Sequence, residues 1–222
     1  MLACEIIINL IGQAEFGEAA AEEFGRPGYM PAEIHKVIYG LDSKIVITSN
    51  VDKIYDECAL SESHSTVVVK KYSDKDIAKY LRTNDYLLIK AHGTIDDRDL
   101  MIFSHQQYNN ARCNYASFYK LLDALILTHT FIFLGCGIDD PDIELIFENA
   151  NFNHEGCLHH YFVAAEDSIT ENVGKVLKDN RNLEVIKYSN ESGTHKELQK
   201  ELEKLKELVE TKREQMAENS VW

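Results

Sequence analysis

The chain is 222 residues long and carries a formal charge of −14, with five cysteines far apart and no C-x-x-C pair. That length allows one substantial core with an extension. The charge argues against a nucleic-acid or anionic-membrane surface, which rewards clustered Lys and Arg, and the cysteine pattern argues for reduced thiols. From the N-terminus, Leu2–Phe24 alternates apolar clusters with Glu/Ala-rich stretches, predicting one or two helices interrupted near Gly12 or Gly17. Ile7–Ile11 alone also fits a buried strand, but the helical composition of the QAEFGEAAAEEF that follows favours a helix. Gly25–Gly28 breaks the chain, and Pro31–Leu41 spaces Ile34, Val37 and Ile38 along one helix face, with His35 beside them as a surface or packing residue.

Strands are predicted at Lys44–Thr48, Thr66–Lys70, Tyr86–Lys90, Leu100–Ser104, Phe131–Leu134, Leu158–Ala164 and Leu183–Tyr188, each a short apolar or β-branched run. Between them fall helices at Lys53–Leu60, through much of 105–129, at Pro141–Ala150 and at Ser168–Asp179, with a polar turn or helix at Ser73–Lys79. The last segment, His195–Asn219, carries Leu198, Leu202, Leu205 and Leu208 at three- and four-residue intervals among Glu and Lys. Such a stripe suits packing on the body of the same subunit, or contact with another copy or a partner chain. Alternating strands and helices predict an α/β fold, a Rossmann-like, mostly parallel sheet flanked by helices, with an N-terminal helical segment and a C-terminal amphipathic helix. No run approaches the roughly twenty apolar residues of a membrane helix. The N-terminus lacks the basic start of a secretion signal, so a cytoplasmic location is expected.

Three strands end in the same way. Ile45–Asp52 (IVITSNVD), Leu87–Thr94 (LLIKAHGT) and the run from Phe131 into the Gly135–Asp140 turn each switch abruptly from apolar residues to small or polar ones. Ligands of open α/β sheets bind beyond the carboxyl ends of the strands, so Asn50, His92 and the Gly135–Asp140 turn are expected to converge there. Each also has a plainer reading. Asn50 and Asp52 are suited to capping the next helix, which accounts well for Asp52 and less well for Asn50. A histidine at a strand end is often satisfied by a neighbouring backbone group, yet it titrates near neutrality and stands beside Gly93, where a ligand has room. Gly135 and Gly137 allow close approach of a ligand, Asp140 before Pro141 is a natural helix cap, and Cys136 is a packing residue. His159 and His160 point to opposite faces of a strand and do not form a metal pair.

The motifs T-S-N-V-D (Thr48, Asn50, Asp52), K-A-H-G (Lys90, His92, Gly93) and F-L-G-C-G-I-D-D-P-D (Phe133, Gly135, Gly137, Asp140, Pro141, Asp142) occur in the order and spacing of the SIR2-like domain. The chain resembles that sirtuin-related family of bacterial defence proteins over roughly Pro31–Tyr188. The resemblance implies NAD as substrate, no metal, and cleavage to nicotinamide and ADP-ribose in an antiphage setting. It implies Asn50 and His92 as catalytic residues and Thr48, Asp52, Gly93, Gly135, Gly137 and Asp140 as NAD-binding. The family usually has serine where Gly137 stands, and its opening glycine-rich strand-loop has no counterpart in Met1–Leu41. A truncated member, a partner segment completing the fold, or a remodelled relative are the readings that follow, with a non-catalytic nucleotide-binding or interaction module as the functional alternative. The four-cysteine zinc module of sirtuin deacetylases is missing, which disfavours deacetylation. The expected organisation is a SIR2-like domain over 1–190 and a helical extension over 191–222.

Overall fold

The computed structural model of the protein describes residues 1–26, 28–137, 146 and 156–219. Two helices, α1 (Leu2–Ile11) and α2 (Gln13–Phe24), open the chain and are interrupted at Gly12, the first of the two expected break points. A third, α3 (Glu33–Gly40), leads into β1 (Ile45–Thr48). Then follow α4 (Ile54–Glu62), β2 (Val68–Lys71), the single turn α5 (Ile77–Tyr80) and β3 (Leu87–Lys90). Beyond β3 come α6 (His105–Asn114), α7 (Ala116–Thr128), β4 (Ile132–Phe133), β5 (His160–Ala165), α8 (Glu171–Arg181), β6 (Leu183–Tyr188) and α9 (Lys196–Asn219). The fold is α/β and Rossmann-like, with parallel strands flanked by helices. No described helix is long and apolar enough to cross a membrane.

The chain forms two compact units, one of Met1–Tyr119 with Leu208–Trp222 and the other of Lys120–Glu207. In the first, three parallel strands run in the order β1-β3-β2. The central strand β3 is buried along its whole length, as its continuous Leu-Leu-Ile-Lys run requires of a strand covered on both faces. It pairs with β1 as Ile45↔Leu87 through Thr48↔Lys90, and with β2 as Val68↔Leu87 through Lys71↔Lys90. Leu88 packs with Ala59 of α4 and with Val67, and Tyr39, Val46, Tyr55 and Tyr86 close round them. Successive strand residues alternate faces, so Lys90 lies on the same face of β3 as Leu88.

The second unit also holds three parallel strands, ordered β4-β5-β6. Its core gathers Ile126, Phe133, Phe162, Ala164, Ile169, Leu177 and Leu183. Thr170 starts α8 by accepting a hydrogen bond from the Val173 N–H at 3.4 Å, and Asn182 ends it in a left-handed conformation at φ 50°. Leu198 and Leu202 of α9 are buried, whereas Leu208 on the same stripe is 67% exposed.

One predicted strand is corrected. Leu100–Ser104 is not part of a sheet. A 3-10 turn at Arg98–Leu100 is followed by an extended stretch whose Ile102 N–H donates to the His92 carbonyl at 3.1 Å. Met101 and Ile102 are apolar because they are buried, at 2% and 3% exposure, and burial without pairing has the same composition as a strand. Its last residue, Ser104, begins α6 instead. The helix expected at Pro141–Ala150 lies outside the described residues, apart from Ile146.

Candidate functional site

Two strand ends of the first unit make the candidate site. Because β1 and β3 are neighbours and Thr48 is the register partner of Lys90, Asn50 and His92 stand at equivalent positions, each two residues beyond a paired strand end. Adjacent parallel strands lie about 4.8 Å apart, so this register brings the two turns that carry Asn50 and His92 to the same edge of the sheet. The ladder continues a step further, with the Ala91 N–H donating to the Thr48 carbonyl at 2.8 Å. A second tie joins the two turns, from the Ile95 N–H to the Val51 carbonyl at 3.0 Å.

The turn after β1 is built by its own side chains. Thr48 Oγ1 accepts a hydrogen bond from the Asn50 N–H at 3.1 Å, which folds the chain back at the strand end. Asp52 Oδ1 accepts from the Ile54 N–H at 2.9 Å and satisfies a donor of the first turn of α4. This is the helix-starting role its position foretold. Asn50 itself is exposed, while His92 is only 7% exposed. The His92 ring meets Tyr108 edge-on, with centroids 6.5 Å apart. Tyr108 in turn meets Tyr119 at 5.7 Å, and the Arg112 guanidinium lies over both tyrosine rings.

Gly93 has φ 81°, and a Cβ there would sit 2.5 Å from the Leu100 carbonyl oxygen. The turn after β3 is therefore closed against the stretch that follows it. Charge pairs fasten the same loop. Lys53 meets Asp96 and Lys71 meets Asp97, each at 2.8 Å. The hydrogen bonds to those carboxylates hold both lysines above their ordinary pKa. Tyr72 donates its hydroxyl to the Leu100 carbonyl at 2.9 Å, and burial pushes its pKa up to about 12.

Beneath the two turns lies a buried ion pair. Lys90 Nζ reaches Asp56 Oδ1 of α4 at 2.9 Å and also donates to the backbone carbonyl of Asp52. The two side chains are 1% and 7% exposed. Burial raises the Asp56 pKa above that of a free carboxyl, and the neighbouring ammonium offsets this only in part. Beside the site, Glu23, Phe24, Tyr29, Asp52 and Ile54 line a cavity of about 190 Å³.

Of the residues expected at the site, Thr48, Asn50, Asp52, His92 and Gly93 gather at one end of one sheet. Gly135 and Gly137 follow β4 in the second compact unit, and Asp140 lies outside the described residues. Among the described residues, no group of three or more His, Cys, Asp or Glu is placed to hold a metal ion. Two features of the site escaped the sequence reading. One is the buried Lys90–Asp56 pair. The other is the start of α6, where Ser104 Oγ accepts from the Gln107 N–H and Gln107 Oε1 accepts from the Ser104 N–H in return. The S-x-x-Q spacing was the available signal for the second.

The SIR2-like domain model matches residues 44–186. The chain is 24% identical over 186 residues to a protein named defense-associated sirtuin 2 from Bacillus subtilis, covering 82% of this chain and 18% of that one. It is 27% identical over 154 residues to the NAD(+) hydrolase ThsA of Enterococcus faecium, covering 67% of this chain and 29% of the relative. The ThsA of Bacillus cereus strain MSX-D12 is 25% identical over 147 residues, covering 66% and 30%. The chain thus spans less than a third of the length of these curated relatives.

Proposed function

The chain belongs to the SIR2-like domain family, and from that premise we propose that it is an NAD glycohydrolase of bacterial antiphage defence, releasing nicotinamide and ADP-ribose. Relatives named as NAD(+) hydrolases and as a defence-associated sirtuin support the reading. The observation that carries it is the Thr48↔Lys90 register, which sets Asn50 and His92 at equivalent places beyond two adjacent strand ends.

Nicotinamide bonded to the ribose bears a positive charge on its ring nitrogen and leaves as a neutral molecule. The enzyme's task is therefore to hold the sugar as positive charge develops at its anomeric carbon and to direct water onto it. Asn50, exposed at the edge, offers an amide that donates and accepts and so positions the water or the ribose. His92, buried beside Gly93 and Tyr108, offers an imidazole that contacts a ribose hydroxyl and acts as base or positioning group. Thr48, Asp52 and Gly93 shape the turns round this pair. Gly135, Gly137 and Asp140 belong to the same proposal as NAD-binding residues, the cytoplasm is the proposed location, and residues 1–190 and 191–222 are its proposed domain and extension.

The second reading is a nucleotide-binding or interaction module without turnover. It is favoured by residues 1–41, where the described chain forms helices and not the glycine-rich strand-loop of the resemblance. Nicotinamide release from NAD separates the two. Wild-type protein is expected to release nicotinamide, and Asn50→Ala and His92→Ala each to lower kcat by about 100-fold or more. Release that survives both substitutions sinks the mechanism. Binding of NAD with no release favours the module.

A further inference from the structure

The buried ammonium of Lys90 has no duty in the reaction as set out above, and its place is unusual. The other three residues of β3 are Leu87, Leu88 and Ile89, all buried, so an apolar residue at position 90 would fill the same interior. A buried ion pair is weak at stabilising a fold, because desolvating both charges offsets most of their attraction. What an apolar residue cannot do is hold a carbonyl. Lys90 donates to the carbonyl of Asp52, and that residue lies in the turn that carries Asn50.

We propose that Lys90 is a positioning residue, whose ammonium, shared between the Asp52 carbonyl and the Asp56 carboxylate, fixes the Asn50 turn relative to the strand end bearing His92. This deepens, and rests on, the reading of Asn50 and His92 as the working pair. The geometry gives the clamp two jaws. From β3 the ammonium pulls on Asp52, and from the loop after β3 the Ile95 N–H holds Val51 at 3.0 Å. Asp56, in the first turn of α4, holds the ammonium in place at 2.9 Å and belongs to the helix that the turn starts. Asn50 is exposed and gains little order from packing, so its position depends on such ties.

The test separates positioning from plain structural support. Lys90→Met alone strands the Asp56 carboxylate in the interior and is expected to lower the melting temperature strongly. Lys90→Met with Asp56→Leu removes both charges, and its melting temperature is expected to return close to wild type. In that double variant the Ile54 and Ile95 amides should nevertheless exchange with solvent at least about tenfold faster. Its kcat for NAD should stay at least about tenfold down, with KM changed by less than about threefold. A double variant in which exchange or turnover recovers together with stability overturns the proposal. Asp56→Asn gives a second measure, since it weakens the pair but leaves Lys90 on the Asp52 carbonyl. Stability should fall while exchange at the two amides stays within about threefold of wild type. Exchange that rises in step with the lost stability assigns Lys90 a structural role only. Wild-type protein that releases no nicotinamide removes the NAD reading, and the exchange comparison then decides the clamp alone.

Discussion

The turns after β3 and β4 look alike in sequence and differ in space. Both place a glycine with positive φ just beyond a strand, Gly93 at 81° and Gly135 at 69°. At Gly93 a Cβ would lie 2.5 Å from the Leu100 carbonyl oxygen and 3.1 Å from its carbon. At Gly135 and Gly137 no described atom lies within 4 Å of that position. The first glycine is demanded by the fold, because backbone packs where a side chain would be. The second is demanded by its own backbone angle, and no described atom lies where its side chain would begin. A glycine in a strand-end motif therefore has two meanings: in the first turn it closes the structure against a distant carbonyl, and in the second, among the described residues, it answers to its own backbone angle.

Substitutions can break or sharpen that contrast. The largest effect is expected for Gly93→Ala, which meets both a left-handed backbone and a carbonyl that cannot yield, at a cost of about 3 kcal/mol or more in urea unfolding. Gly135→Ala meets only the backbone penalty and should cost about 1–2 kcal/mol. Equal losses at the two positions would erase the distinction. Gly137 lacks a positive φ and has no described neighbour, so Gly137→Ser should leave stability within about 0.5 kcal/mol. If this turn binds NAD, the added hydroxyl should lower KM by about threefold, the gain of one modest hydrogen bond. A KM unchanged by the serine, with nicotinamide release intact, would take Gly137 out of the proposed NAD-binding set.

How much of this was legible depended on how local each signal was. The ends of β1 and β3 were readable because apolar runs stop abruptly at Thr48 and Lys90, and polar residues with chemical capacity follow at once. Asp52 was readable because an acidic residue ahead of a helix has a short-range partner, here the Ile54 N–H. Leu100–Ser104 misled for the reverse reason. Met101 and Ile102 are apolar to fill the interior, and composition does not tell a buried extended stretch from a paired strand. The S-x-x-Q cap at Ser104 and Gln107 lay in the same segment and argued for a helix start there. The burial of Lys90 had no local signal, because its partner Asp56 lies 34 positions away.

Apart from Leu100–Ser104, the sequence by itself located the described strands and helices and the residues that stand beyond the strand ends, since side-chain periodicity and turn chemistry act over a few residues. Tertiary structure alone decided the rest. It set Thr48 opposite Lys90, buried an ammonium against a carboxylate 34 positions away, and closed the Gly93 turn against the Leu100 carbonyl. These are matters of which distant atoms share a space, and the energy that settles them comes from desolvation and packing that no short stretch of chain contains.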